Sequence, residues 1–285
     1  MLRFLPIISS SDSTILENPI KYFLIQSWSS AFFLVGNLFF LLFPGSFYNL
    51  SAIAILLKLG AAPFHYWFIS ILTSCDIWNL YLLRTFQKII PVIIYSWFTR
   101  MGLLIFVVVL SGFSVIYIIP GSISINKILS LSSVGNLTWI MVRCLMSVKL
   151  MLAYILVYFS VLLCLVLLFF NSRIVSFFQV GELGNFHKLI IVFSFMSLGG
   201  LPPFLGFFGK LMVIKALCIW FNFIVPLTLS WISVSILYYY ISRLLTLRTY
   251  SNSMKIRFKS ISFRYIQNFY FFNLIIFNLV ISLPI

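Results

Sequence analysis

Long apolar runs separated by short polar connections form the pattern of this 285-residue chain. Each run is near or above the roughly 20 residues that a helix needs to cross a bilayer. The runs lack the strict alternation of polar and apolar residues that marks a membrane β-barrel. The pattern predicts an all-α, polytopic membrane protein with about nine spans, near residues 21–43, 48–72, 77–98, 101–119, 123–143, 147–170, 186–218, 222–246 and 266–284.

The second and seventh predicted spans contain residues that interrupt a helix. Proline has no amide hydrogen for the helix ladder, so a break releases carbonyl groups within the membrane. Such breaks are tolerated only against protein or water, and a pair of them is typical of transporter repeats with ion sites near the bilayer midplane. The interrupting residues are Gly60, Pro63, Gly199, Gly200, Pro202 and Pro203.

Composition and charge support a membrane protein. Hydrophobic residues make up 62% of the chain and charged residues only 8%, which excludes a water-soluble core. The net charge of +15 is carried by short connections and single positions within spans, so no nucleic-acid partner is predicted. The bias of basic residues predicts an amino terminus on the inner side and a carboxyl terminus on the outer side, where only Arg100, Arg143 and Lys149 are expected.

Metal and redox ligands are not predicted. Four isolated cysteines lack the spacing of a ligand pair and are expected to be small core residues: Cys75, Cys144, Cys164 and Cys218. The four acidic residues fall in connections or at span edges: Asp12, Glu17, Asp76 and Glu182. We therefore expect no carboxylate deep in the membrane.

Three lysines lie well inside apolar runs: Lys58, Lys88 and Lys210. A charge at the bilayer centre costs about 2.5 to 3.5 kcal/mol even on insertion scales, so such residues face protein or water and mark an ion path. Burial disfavours the charged amine, which enables a lysine to take up and release protons. The alternative is a structural role, in which the amine reaches the interface or binds a carbonyl at a helix break.

Other polar residues near these lysines leave two roles open. Arg84 stands four residues before Lys88 and is expected to extend to the membrane interface, since like charges at this spacing repel. His65 follows Lys58 by seven residues, so its imidazole either relays protons or is a core residue. Five hydroxyl groups either extend a proton relay through bound water or only pack helices together: Thr85, Ser130, Ser132, Ser133 and Thr138.

Three motifs carry a family resemblance: KLGAAPFHYW at 58–67, TFQKIIP at 85–91 and SLGGLPPFLGFFGK at 197–210. They resemble, in the same order, segments of the chain 2 family of mitochondrial NADH:ubiquinone oxidoreductase, respiratory complex I. Weaker similarity in IKYFLIQ and SINKILSLSSVGNLTWI extends the resemblance over almost the whole chain.

The resemblance implies a fold and an activity. That family belongs to the antiporter-like subunits, which are similar to Mrp-type cation/proton antiporters and contain inverted five-helix repeats with one broken helix each. It implies one transmembrane domain over 1–285, with a truncated first repeat at 1–98, a second repeat at 99–246 and a carboxyl-terminal helix at 266–285. It also implies proton translocation driven by quinone reduction elsewhere, with the family's buried lysines matching Lys58, Lys88 and Lys210.

The resemblance further implies where the chain works and what it lacks. The expected location is the mitochondrial inner membrane, with the amino terminus in the matrix and the carboxyl terminus in the intermembrane space. Expected partners are the other membrane-arm subunits of complex I and the lipids of the inner membrane. The chain itself is expected to bind no cofactor and carry no redox chemistry, because FMN, iron–sulfur clusters and ubiquinone would belong to other subunits of this NADH:ubiquinone reductase.

Departures from the family pattern keep two alternatives open. In the family, a glutamate that pairs with the first-half lysine lies in a span before the segment matched by LRFLPIIS. The present sequence begins at that segment, so this glutamate is not expected in it. Asn136 stands where the family often has histidine, and Asp76 only approximates an expected acidic position. The alternatives are a structural membrane-arm subunit with a degenerate proton channel and a free-standing cation/proton antiporter.

Overall fold

A computed structural model describes residues 13–42, 48–98, 101–118, 124–172, 174, 176–181, 183–220 and 224–251. Its secondary structure over these ranges is helical, without a β-strand, which confirms the predicted all-α class. The helices are α1 (Ser13–Leu42), α2 (Tyr48–Leu59), α3 (Tyr66–Ser74), α4 (Ile77–Arg84), α5 (Phe86–Trp97), α6 (Met101–Ile118), α7 (Ile125–Met146), α8 (Val148–Ser172), α9 (Phe177–Val180), α10 (Asn185–Gly199), α11 (Leu205–Trp220) and α12 (Ile224–Ser251).

The helices follow the apolar runs closely. The second predicted span corresponds to α2 and α3, and the seventh to α10 and α11, with a break inside each. The predicted span at 266–284 lies outside the described residues. By length and hydropathy, four described helices are long and apolar enough to cross a membrane: Glu17–Leu42, Ile125–Met146, Val148–Ser172 and Val225–Leu244.

We expected the third predicted span to be one continuous helix, but the structure shows an interruption within it. The chain departs from helical geometry at Thr85, with φ −106° and ψ −85°, between α4 and α5. The Thr85 hydroxyl donates a hydrogen bond to the carbonyl of Tyr81 at 2.7 Å, a pattern of threonine that competes with the backbone ladder and bends helices. No glycine or proline marks this position, so the apolar pattern does not reveal it.

Helix α7 lies at the centre of the bundle. It packs against α3, α4, α5, α6, α8, α11 and α12. Every residue from 128 to 144 is buried, although this stretch carries three serines and an asparagine. Its polar side chains are thereby removed from the lipid and concentrated between the helices, which is how a membrane protein accommodates polar groups.

Helix α1 lies at the edge of the described bundle and packs mainly on α2. Large apolar side chains cover its outer surface, including Trp28, Leu34, Leu38 and Leu41, which are all exposed. An apolar surface of this size is suited to lipid, or to neighbouring helices within a membrane.

Candidate functional site

The first helix break places Lys58 at the end of α2. The helix stops at Leu59, residues 60–65 form turns that include Gly60 and Pro63, and α3 begins at Tyr66. The half-buried side chain of Lys58 holds its Nζ 5.9 Å from the ring centroid of Phe33 on α1. The backbone carbonyl of Lys58 accepts a hydrogen bond from Gln26 Nε2 at 3.4 Å. The break therefore presents Lys58 to α1.

A cavity of about 90 Å³ joins Lys58 to Lys88. Its polar lining also includes Tyr22, Gln26 and Gln87, and the Tyr22 hydroxyl donates a hydrogen bond to Gln87 Oε1. A water molecule needs about 10–15 Å³ of such volume, so several waters fit. The two lysines that lie 30 residues apart in sequence thus face one space that admits water.

Lys88 is held within the bundle by α5. Its side chain is 7% exposed, and Nζ lies 4.0 Å from the ring centroid of Phe68 on α3. This cation–π geometry stabilises the ammonium form. Nζ makes no hydrogen bond within the described part of the chain, and Lys88 lines the cavity that it shares with Lys58.

His65 lies in the first break but does not line the cavity that Lys58 and Lys88 share. The imidazole is 3% exposed and stacks on Tyr66, with ring centroids 4.5 Å apart. The seven-residue spacing from Lys58 would place both side chains on one face only in a continuous helix, and α2 ends between them. The structure therefore does not bring His65 to the lysines.

The second break places Lys210 against the end of α10. That helix ends at Gly199, and Gly200 adopts a left-handed conformation with φ +84°, which glycine tolerates without strain. The chain then passes Pro202 and Pro203, and α11 begins at Leu205. A side chain at Gly200 would meet Lys210, since a Cβ there would lie 3.0 Å from Lys210 Nζ.

The Lys210 ammonium caps the broken helix. Its Nζ donates hydrogen bonds to the carbonyls of Gly199 at 2.8 Å and Leu198 at 3.3 Å, and the residue is 5% exposed. Carbonyls in the last turn of a helix are without intrahelical partners and carry the negative end of the helix dipole. The break therefore supplies a protein-lined site for a positive charge.

Two arginines contradict the expected distribution of charge. Arg84 is 0% exposed rather than extended to the interface, because α4 directs it into the bundle, where Nη2 donates to the carbonyl of Asn126 at 3.2 Å. Arg143 is 3% exposed rather than part of an outer connection, because α7 continues to Met146. Its guanidinium donates to the carbonyl of Gly209 and lies 3.7 Å from the ring centroid of Tyr154.

Hydroxyl and amide groups of α7 lie between the two breaks. The Tyr154 hydroxyl donates to Asn136 Oδ1 at 3.1 Å. The α7 hydroxyls considered as relay groups each donate to a carbonyl of the preceding turn: Ser130, Ser132, Ser133 and Thr138. Their oxygens retain lone pairs that can accept a further hydrogen bond. The described interior is therefore polar from one break toward the other.

The lysines outside the interior differ in burial. Lys215 on α11 and Lys149 on α8 are exposed, and Lys127 on α7 is half-buried. Of the cysteines, Cys75 and Cys144 are buried as expected, and Cys164 is half-buried. The side chain of Cys218 lies outside the described part.

Comparison with known proteins identifies relatives. Residues 2–237 match the family described as NADH:quinone oxidoreductase/Mrp antiporter, transmembrane. A protein of Artemia franciscana called NADH-ubiquinone oxidoreductase chain 2 is 39% identical over 222 residues, covering 75% of this chain and 69% of its own length. The protein of the same name from Anopheles gambiae is 32% identical over 236 residues, covering 76% of this chain and 67% of its own.

The fold also has a solved counterpart. A chain in respiratory complex I from Thermus thermophilus with bound aureothin superposes with a TM-score of 0.75 at 21% sequence identity. The superposition covers 86% of this chain and 62% of that chain. The shared fold thus includes most of the present chain, which spans less than two thirds of its bacterial counterpart.

Proposed function

The chain belongs to the NADH:quinone oxidoreductase/Mrp antiporter transmembrane family, and from this premise we propose that protons cross the membrane through its interior by way of Lys58, Lys88 and Lys210. The relatives called chain 2 confirm the predicted resemblance, and the chain is a membrane-arm subunit of NADH-ubiquinone oxidoreductase in a mitochondrial membrane. Its partners are other subunits of complex I, and the enzymatic activity belongs to the complex.

The observation that carries this proposal is the cavity shared by Lys58 and Lys88. Water in that cavity would bridge the two amines, since Nζ of Lys88 has no hydrogen-bond partner among the described residues. Each amine accepts a proton as a neutral group and releases it as an ammonium. Proton transfer along such a chain needs only small side-chain motions and reorientation of water.

Lys210 supports a second proton site at the other break. The carbonyls of Leu198 and Gly199 stabilise its ammonium, so a proton held there is retained against the apolar surroundings. Release requires the amine to leave at least one carbonyl. Movement of Lys210 relative to the end of α10 would then control when the proton departs.

We also propose how the chain is oriented in the membrane and what surrounds it. The excess of basic residues on one side supports an amino terminus in the matrix and a carboxyl terminus in the intermembrane space. The exposed apolar surface of α1 supports contact with inner-membrane lipids or with neighbouring subunits. FMN, iron–sulfur clusters and ubiquinone would be bound by other subunits. We also propose a division of the chain into a first repeat at 1–98 and a second repeat at 99–246.

Replacement of Lys88 by methionine tests the shared cavity. We expect coupled turnover and proton pumping of the assembled complex to fall roughly tenfold or more, because a positioned proton acceptor is removed. The measurement is the rate of proton pumping and the rate of NADH oxidation per assembled complex, in proteoliposomes containing the purified complex. Lys149→Met, which removes an exposed lysine on α8, is the control and should leave both rates unchanged.

A structural subunit with a degenerate channel is the second candidate. The observation that favours it is that the described carboxylates, Glu17 and Asp76, are both exposed, so neither is a buried partner for a lysine. This candidate predicts that Lys88→Met changes the amount of assembled complex and leaves the rates of proton pumping and NADH oxidation per assembled complex, and hence their ratio, intact. That result would exclude the proposed proton path.

A further inference from the structure

The cavity between Lys58 and Lys88 is rich in hydrogen-bond donors. Lys88 is 7% exposed, lines the cavity and has no hydrogen-bond partner for Nζ among the described residues. Trp67 also lines the cavity, and its buried indole Nε1–H is likewise without a partner in this part of the chain. An indole N–H and an ammonium group can only donate hydrogen bonds. Two buried donors at the cavity therefore lack an acceptor.

Few side chains at the cavity can accept these hydrogen bonds. Gln87 Oε1 already accepts a hydrogen bond from the Tyr22 hydroxyl. Gln26 directs its amide nitrogen to the backbone carbonyl of Lys58 at 3.4 Å. Within the described ranges, no aspartate or glutamate lines the cavity. The lining thus has more donors than acceptors, and it has no negative charge of its own.

The charges at the cavity have the same sign. Lys58 and Lys88 both line it, and their Nζ atoms lie 5.9 Å from the ring centroid of Phe33 and 4.0 Å from that of Phe68, respectively. The faces of these rings stabilise an ammonium group but carry no net charge. Two ammonium groups that face one enclosed space repel each other, and buried charges in proteins are paired. A negative charge inside the cavity would offset this repulsion.

We propose that the cavity binds a small monovalent anion of the halide class, chloride under physiological conditions, between Lys58, Lys88 and the indole of Trp67. Hydrogen bonds from an ionised donor to an anion are among the strongest in proteins. The cavity volume is about 90 Å³, and a water molecule needs about 10–15 Å³ of such volume, so a halide fits together with water. The anion supplies the negative charge that the described lining lacks.

The anion site lies on the proposed proton path and rests on that path for its role. With the anion bound, Lys58 and Lys88 can both carry a proton, whereas without it the charge of one opposes protonation of the other. The binding of an anion does not itself depend on proton conduction. The two can therefore be tested separately.

Crystals of the intact complex grown in bromide test the site directly, because bromide gives an anomalous X-ray signal. We expect an anomalous peak in the cavity of the wild type and none in Lys88→Met, which lacks one of the two ammonium groups. Absence of the peak from the wild type would overturn the inference, as would an equal peak in Lys88→Met. If the wild type shows the peak and Lys88→Met pumps protons normally, the anion site stands and the proposed proton path fails.

Replacement of chloride by gluconate, which is too large for the cavity, tests the role of the anion. The rates of NADH oxidation and proton pumping per complex are measured at constant ionic strength while chloride or bromide is added back. We expect both rates to fall severalfold in gluconate and to recover with either halide. Equal rates in gluconate and chloride would show that a bound bromide is an adventitious ion only, and would overturn the role. This measurement uses the wild type, so it stays decisive if a variant does not assemble.

Trp67→Phe keeps an aromatic ring at the cavity but removes the indole donor. The halide concentration that restores half of the activity should rise about tenfold or more, as expected for the loss of one hydrogen bond to a charged group. The matched control is Trp28→Phe, at an exposed tryptophan of α1, which should recover at the wild-type concentration. An equal shift in both variants would indicate a general effect of salt and contradict an anion site at Trp67.

Discussion

Replacing Lys210 with methionine is expected to abolish proton pumping in any complex that assembles. The change removes the amine and leaves the carbonyls of Leu198 and Gly199 without the donor that they have at 3.3 and 2.8 Å. An unsatisfied buried carbonyl costs about 1–3 kcal/mol, so the stability of the break should also fall. Pumping is measured in proteoliposomes, and stability by thermal unfolding of the purified complex.

Two further variants separate the chemical role of Lys210 from its capping role. Lys210→Arg retains donors for both carbonyls but cannot release its proton, so we expect recovered stability without recovered pumping. Lys215→Met removes an exposed lysine from the same helix and should change neither quantity. Normal pumping in assembled Lys210→Arg complexes would contradict a proton-carrying role for this residue.

Replacing Gly206 with alanine is expected to cause the largest loss of stability. A Cβ at this position would lie 1.8 Å from the backbone oxygen of Ser197, far inside van der Waals contact. Backbone atoms cannot rotate away as a long side chain can, so α10 and α11 would have to separate. We expect a loss on the order of 4 kcal/mol or more, together with weaker contact between Lys210 and Gly199.

The measurement for Gly206→Ala is the thermal midpoint of the purified complex and the amount of assembled complex in the membrane. Gly102→Ala is a matched control, since a Cβ there meets nothing within 4 Å. Alanine is a better helix former than glycine by up to about 1 kcal/mol, so the control should be neutral or slightly stabilising. Equal effects of the two substitutions would contradict close packing at Gly206.

The sequence predicts the helices well because long apolar segments have few alternatives in a membrane. Every backbone polar group must be satisfied internally, so each run becomes a helix whose length follows the run. Glycine and proline at Gly60, Pro63, Gly200 and Pro202 disfavour a continuous ladder by covalent structure alone. The positions of Lys58 and Lys210 near these breaks therefore follow from local chemistry.

The sequence predicts less well which side of its helix each side chain occupies relative to the neighbouring helices. Arg84 is four residues before a buried lysine, a spacing that electrostatics alone assigns to the interface. The interruption at Thr85 and the contact with the Asn126 carbonyl place it inside. For Arg143 the sequence holds a usable signal, because three apolar residues follow it, Cys144, Leu145 and Met146, and α7 extends over all three.

The amino-acid sequence is enough to assign a helical membrane protein with two broken helices and lysines near the breaks. The packing of the helices, in contrast, places Lys58 and Lys88 at one cavity, leaves His65 outside it, and brings Lys210 to the end of α10. Apolar periodicity and proline act within one segment and can be recognised locally. Cavities and buried polar contacts depend on how different helices rotate and pack. The packing energy that sets this arrangement is distributed over residues distant in sequence.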